Sequence, residues 1–383
     1  MEFRSGGLSN VRGVRCGGAR DRKYGVVLVE ARGPVAGVFT TNRCAAAPVL
    51  WTRRVATRGE AAGVIANSGC ANCMTGERGL RDARGMASLG AAVLGCSLEE
   101  MAVASTGIIG VPLDLGRVRG LLGKLEMGSS RRSSRAAADG LRTTDLVPKE
   151  TAVRFRGASL GGVAKGVGMI APRMATMLAF LVTDARVPPS VLRRALRRAA
   201  DRSFNQLVID GDMSTNDMAL LITTREGPRV PHAEFERAVE AACVDLARQM
   251  ARDGEGATRL VEVEVRGART EAEAARAARA VVGSNLVKAA IYGANPNWGR
   301  IAGALGRSGV HLRPERMDVA LAGPRGRVFL AKGGISKDRE RARPWLRGKE
   351  VRIEVDLGVG RAKATAWGCD LSPGYVKINA EYS

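Results

Sequence analysis

"AKGVGMIAPRMATMLAFLVTDA" (residues 164–185) passes from glycines, small residues and one lysine directly into an apolar run, with a hydroxyl, Thr176, at the seam after Ala175. The second half predicts a buried strand and the first half a loop. Gly166-Val-Gly168-Met-Ile-Ala171 matches G-x-G-x-x-A, but it precedes a strand and runs into Pro172, whereas a dinucleotide fingerprint follows a strand and opens a helix. A P-loop string G-x-x-x-x-G-K-[ST] is missing from the chain. The seam does suit a chain break. Glycines and Ala175 let the backbone bend, the strand would hold a new terminus rigid, and an α-amine with a reference pKa of ~7.7 to 8.0 can take the proton of its own hydroxyl. On these residues alone a threonine that simply begins a strand is preferred.

Outward from the seam, "AVRFRGASLGG" predicts a hairpin upstream, and "PPSVLRRALRRAADRSF" a helix downstream with Pro at its start. Residues 24–66 read as strands and turns. "RGLRDARGMASLGAAVLG", residues 113–125 and "SSRRSSRAAADGLRTTD" have helical spacing, the last ending near Gly140. "LEEMAVASTGIIG" leads from an acidic helix start into a strand and a glycine turn. "LVIDGDMSTNDMALLITT" reads as two apolar runs paired around a polar turn. A helix (AEFERAVEAACVDLARQMARDGEG), an alternating strand (TRLVEVEVRG) and a helix (EAEAARAARAVVGS) follow, and the last 70 residues read as strands. Such mixing without repeats or linkers predicts α/β layers with antiparallel or mixed sheets.

The chain of 383 residues can bury a sizeable core, as one large domain or two ordinary ones. It lacks the roughly 18 uninterrupted apolar residues of a membrane span, and its N-terminal stretch has no apolar signal region, so a cytoplasmic, membrane-free protein is expected. Seven scattered cysteines (Cys16, Cys44, Cys70, Cys73, Cys96, Cys243, Cys369) read as reduced thiols. Cys70-Ala-Asn-Cys73 has no second pair, and only His232 and His311 could assist, so neither a metal site nor a histidine-based triad is expected. The net charge of +22 raises the question of nucleic acid, but aromatics make up only 4% and the basic runs lack interleaved stacking residues. In "VLRRALRRAA" the arginines read as a solvated helix face.

The segment around "MATML" resembles the self-cleavage segment of the ornithine acetyltransferase (ArgJ) family of arginine biosynthesis, in which the Ala–Thr bond is cut. "GVFTTNRCAAAPVLW", "NSGCANCMTG", "ASTGIIG", "TTDLVPK", "DGDMSTNDMALL", "DGEGATRLVEVEV", "NPNWGRIAGALG" and "DLSPGYVKINAEY" resemble that family's segments in the same order, over nearly the whole chain. The resemblance implies a DmpA/ArgJ-like layered α/β sandwich with mixed sheets. It implies cleavage between Ala175 and Thr176 into an α chain (1–175), carrying the oxyanion hole and part of the substrate pocket, and a β chain (176–383).

Carried over, it makes Thr176 the nucleophile, Thr106 and Gly107 the oxyanion-stabilising pair, and Thr143, Lys165, Glu255 and Asn379, with Thr176, the substrate contacts. Lys165 has the charge to hold an α-carboxylate and Glu255 the charge to meet an ammonium. Two departures stand out. Arg173 lies beside the cut where the family more often has a small or amide residue, and the chain ends at Ser383, one residue short of a terminal Ser or Thr contact. The implied activity is glutamate N-acetyltransferase: ping-pong transfer of acetyl from N-acetylornithine to glutamate, with no cofactor or metal, by an α2β2 assembly. Acetyl-CoA as a second donor stays open. An aminopeptidase using the same nucleophile and a basic nucleic-acid-binding protein are the less favoured alternatives.

Overall fold

A computed structural model of the chain describes residues 1–171, 177–324, 326–337 and 340–381. In chain order come β1 (Glu2–Phe3), β2 (Arg15–Asp21), β3 (Tyr24–Phe39), α1 (Ala47–Arg58), β4 (Glu60–Cys70), α2 (Gly76–Leu94) and β5 (Met101–Ile108). Then follow α3 (Leu115–Leu122), α4 (Arg131–Leu141), β6 (Lys149–Phe155), β7 (Ala158–Lys165), β8 (Leu178–Thr183), α5 (Pro189–Arg202), β9 (Leu207–Val208) and β10 (Met218–Thr223). The chain continues with α6 (His232–Arg252), β11 (Leu260–Ala268), α7 (Glu271–Val282), α8 (Asn285–Tyr292), α9 (Trp298–Gly306), β12 (Asp318–Gly323) and β13 (Gly326–Lys332). It ends with β14 (Ile335–Ser336), β15 (Glu350–Asp356), β16 (Ala362–Cys369) and α10 (Pro373–Glu381).

The described residues divide into two compact units, one drawn from 1–167, 173–204 and 213–246, the other from 168–172, 205–212 and 247–383. In the first, the sheet order is β1-β6-β7-β8-β10-β3-β4-β5, with β2 also paired to β3. β8 and β10 run parallel, as do β4 and β5, and the remaining pairs are antiparallel. Every residue of β8 (LAFLVT) and β10 (MALLIT) is buried, because a central parallel pair covered on both faces takes a continuous apolar run instead of an alternating one. Helix α4 packs on β2 and β3, α1 on β5 and α5 on β3. Along α5, Val191, Leu192, Ala195, Leu196 and Ala199 are buried, while Arg194 and Arg198 pair with Glu236 and Arg202 with Glu240. Its arginines therefore form a paired, solvated face.

The second unit has the order β14-β13-β12-β15-β11-β16-β9. In β11, Val261, Val263 and Val265 point into the core, while Glu262 and Glu264 meet Arg248 and Arg352. Helix α7, capped by the Thr270 hydroxyl accepting from the Glu273 amide, packs on β11 and β16. The architecture is α/β with mixed sheets. The hairpin β6–β7, strand β8 and helices α2 to α7 fall where the sequence places them.

Three expectations need correction. Residues 47–58 are a helix, not part of a strand-and-turn region: Pro48 stands in its first turn, and Val49, Thr52 and Val55 bury one face. The two apolar runs around 210–217 do not pair with each other, since β9 belongs to the second unit's sheet and β10 to the first's. The last 70 residues hold, besides strands, the helix α10. Among the described residues no helix is long and apolar enough to cross a membrane.

Candidate active site

In the first unit, three of the expected residues meet at the ends of β5 and β7. At its end β5 follows a register shift against β4, where Cys70 faces both Thr106 and Ile108. Gly107 has φ +134°, and a Cβ there would lie 2.3 Å from the Gly69 carbonyl carbon, so the turn demands glycine. Lys165, the last residue of β7, is buried and donates from Nζ to Thr106 Oγ1 at 3.2 Å. A hydroxyl that accepts this bond keeps its own hydrogen for another acceptor.

Beneath this pair lies Asp145, which sequence reasoning passed over. Its Oδ1 accepts from Lys149 Nζ at 2.7 Å and from the Gly166 amide at 3.0 Å, and its Oδ2 accepts from the Thr143 amide at 3.2 Å. One carboxylate thus ties the turn after α4, which carries the half-buried Thr143, to the start of β6 and the end of β7. Burial alone would raise its pKa. The charges of Lys165 and Lys149, with the bonds from Lys149 and Gly166, outweigh burial and hold it at about 2.

The "MSTND" stretch contributes more than its turn chemistry suggests. Asn216 Nδ2 donates to Ala71 O at 2.6 Å and to Ser105 O at 2.8 Å, bracing the approach to Thr106. Asp217, fully buried, accepts the Met177 amide on Oδ1 at 3.0 Å.

In the second unit, Asn379 on α10 donates from Nδ2 to Glu255 Oε2 at 2.9 Å and to Tyr375 O at 3.1 Å. A Cβ on Gly168 would stand 2.3 Å from Glu255 Oε2. Asp210 accepts the Met169 amide at 2.6 Å and the Ile170 amide at 2.8 Å, fixing the loop upstream of the seam. Burial raises the Asp210 carboxyl, against the bonds from those amides and from Asp212. Burial, then the charge and hydrogen bond of Asp210, push the Tyr375 hydroxyl upward. Lys165, Thr106 and Thr143 therefore gather in one unit, Glu255 and Asn379 in the other. Ala175, Thr176, Arg173 and Ser383 lie outside the described residues.

The ArgJ family model matches residues 10–383. The chain belongs to the ArgJ family. The glutamate N-acetyltransferase of Methanothermobacter thermautotrophicus is 46% identical over 397 residues, covering 100% of this chain and 98% of that one. The arginine biosynthesis bifunctional protein ArgJ of Symbiobacterium thermophilum is 46% identical over 404 residues, covering 100% of both. The crystal structure of the arginine biosynthesis bifunctional protein argJ from Bacillus halodurans is similar at 43% identity with a TM-score of 0.50, over 53% of this chain and 98% of that one.

Of the other chemistry-bearing residues of this ArgJ-family chain, Cys70 borders the cluster, paired in register with Thr106. All seven cysteines are free thiols, with burial pushing Cys16 up to about 12. His232 is exposed at the start of α6, and His311 lies in the loop before β12, not in a strand. Among the described residues no group of three His, Cys, Asp or Glu side chains could hold a metal ion.

Proposed function

We propose that this acyltransferase of arginine biosynthesis moves the acetyl group of N2-acetyl-L-ornithine to L-glutamate, in the cytoplasm, through an acetyl ester on Thr176. The precursor first cleaves itself. Thr176 Oγ attacks the Ala175 carbonyl, the acyl group shifts from nitrogen to oxygen, and water hydrolyses the ester, leaving a carboxylate on Ala175 and a free amine on Thr176. That amine then takes the Thr176 hydroxyl proton as Oγ bonds to the acetyl carbon. The oxyanion is met by the Thr106 hydroxyl and the Gly107 turn, the C–N bond breaks, and ornithine leaves with the proton on its amine. Glutamate enters, its amine attacks the ester carbon, and Thr176 Oγ leaves and is reprotonated.

The observation that carries this reading is the bond from Lys165 Nζ to Thr106 Oγ1 at 3.2 Å. A buried ammonium for the α-carboxylate shared by both substrates thereby polarises the hydroxyl that would face the oxyanion. Thr143 completes the carboxylate end, and Glu255, held by Asn379, meets the ornithine ammonium. Two features support cleavage at Ala175–Thr176. The Bacillus halodurans chain, at 98% of its own length, spans 53% of this one, about the share of either expected piece. In the first unit's sheet, β8 and β10 lie between β7 and β3, so the pieces 1–175 and 176–383 would stay bound to each other; the α2β2 assembly rests on the family resemblance alone.

The test is to incubate cleaved enzyme with acetyl-labelled N-acetylornithine and no glutamate, then digest it. Label on the peptide beginning at Thr176, discharged by added glutamate, is expected. Label elsewhere, or none, contradicts the ester intermediate. The same trial with labelled acetyl-CoA separates a bifunctional enzyme from a monofunctional one.

A further inference from the structure

Asp217 sits where the two central parallel strands begin. Its backbone carbonyl accepts the Thr40 amide at 3.0 Å, and its Oδ1 accepts the Met177 amide at 3.0 Å. One residue on, the Met218 amide donates to the Met177 carbonyl at 3.1 Å, and pairing then continues from Met218↔Leu178 to Thr223↔Thr183. Both polar groups of Met177, the residue directly after Thr176, are thus committed to the 217–218 backbone and side chain. Among the described residues, the second oxygen, Oδ2, is buried with no hydrogen-bond partner.

We propose that Asp217 is a positioning residue for the nucleophile, clamping the peptide that follows Thr176 so that self-cleavage and acetyl transfer both start from one fixed backbone. The inference rests on the assignment of Thr176 made above. A hydroxyl that must reach a carbonyl carbon, first of its own chain and then of substrate, gains from a rigid neighbour, because small displacements from attack geometry are expensive. The clamp is made by the accepting oxygen Oδ1 and needs no charge on the carboxyl. Burial raises the carboxyl well above the ordinary range, against the Met177 amide, the Lys165 charge and the hydroxyls of Ser214 and Thr40.

Asparagine keeps the accepting oxygen and the shape, whereas alanine removes both. Asp217→Asn should cleave, and keep kcat within about threefold of wild type with an unshifted pH profile. Asp217→Ala should cleave slowly. In its cleaved fraction kcat should fall roughly ten- to a hundredfold, with KM for N-acetylornithine changed by less than about twofold. If the alanine variant does not fold, Asp217→Ser, with a shorter-reaching oxygen, takes its place in the same comparison. A folded alanine or serine variant that matches wild type in cleavage and kcat overturns the proposal. So does an asparagine variant that falls as far as the alanine one, since the proton would then matter and not the clamp. N-terminal sequencing of the wild-type β chain separates the two levels. A terminus other than Thr176 defeats the nucleophile assignment, whereas a Thr176 terminus with an indifferent Asp217 defeats only this inference.

Discussion

Two buried carboxyls near Lys165 have their pKa values shifted in opposite directions, and each leaves a signature in stability. Asp145 has its pKa lowered to about 2 from 3.8, so its ionised form stabilises the fold above the unfolded value and that contribution is lost as pH falls from about 4 to about 2. The amount is about 2 kcal/mol. Asp145→Asn should lower unfolding free energy at neutral pH by about 3 to 5 kcal/mol, because Lys149 and Lys165 lose their counter-charge. Its stability should also fall less steeply between pH 4 and 2. Denaturant unfolding across that range decides, and an unchanged acid limb would remove the ionised Asp145 from the account. Asp217 has the reverse sign. Its folded pKa is raised, so the folded state holds a proton the unfolded state has released, and stability declines as pH rises above 3.8 toward the folded value. Asp217→Asn, which does not titrate, should melt higher than wild type at pH 7, with the gap closing toward pH 4. A lower melting temperature at pH 7 with no closing of the gap would mean that Asp217 is ionised.

At the scale of elements, strands and helices with one clear period were legible. Strand β11 alternates Val with Glu, α5 spaces its apolar residues by three and four, and β8 is a short continuous apolar run. Helix α1 was hidden because it lies between real strands and buries the β-branched Val49, Thr52 and Val55, although Pro48 marked its start. β9 and β10 misled because two apolar runs around a polar turn resemble a hairpin, while their partners are set by non-local pairing. Of the site, the residues to which the family resemblance gives a role could be named, but Asp145, Asp210 and Asp217, which stand in the same quoted segments, could not. Nothing local distinguishes a solvated aspartate from one that burial and backbone amides have made structural. The loop carrying Gly168 offers a test at this scale. A Cβ there meets the end of the Glu255 side chain at 2.3 Å, a flexible group that can move, so Gly168→Ala should displace the carboxylate without unfolding the loop. KM for N-acetylornithine should rise roughly three- to tenfold with glutamate little affected. Steady-state kinetics with each substrate varied separately checks this, and equal changes for both would remove the ammonium-binding role from Glu255.

For the whole molecule, the sheet order makes cleavage compatible with stability. Strands from after the seam, β8 and β10, are hydrogen-bonded on both sides to strands from before it, β7 and β3, so cutting the connection breaks no ladder. On α5 arginines pair with glutamates, and the net charge of +22 is the excess of Lys and Arg over Asp and Glu. The central claim is that Thr176 cuts the chain and then carries the acetyl group. Intact-mass measurement of the purified protein under denaturing conditions, for wild type and Thr176→Ala side by side, tests it most directly. Wild type should give two chains whose masses meet at Ala175 and Thr176, and Thr176→Ala a single chain of full length. A single wild-type chain, or a Thr176→Ala protein cut at the same bond, would contradict it.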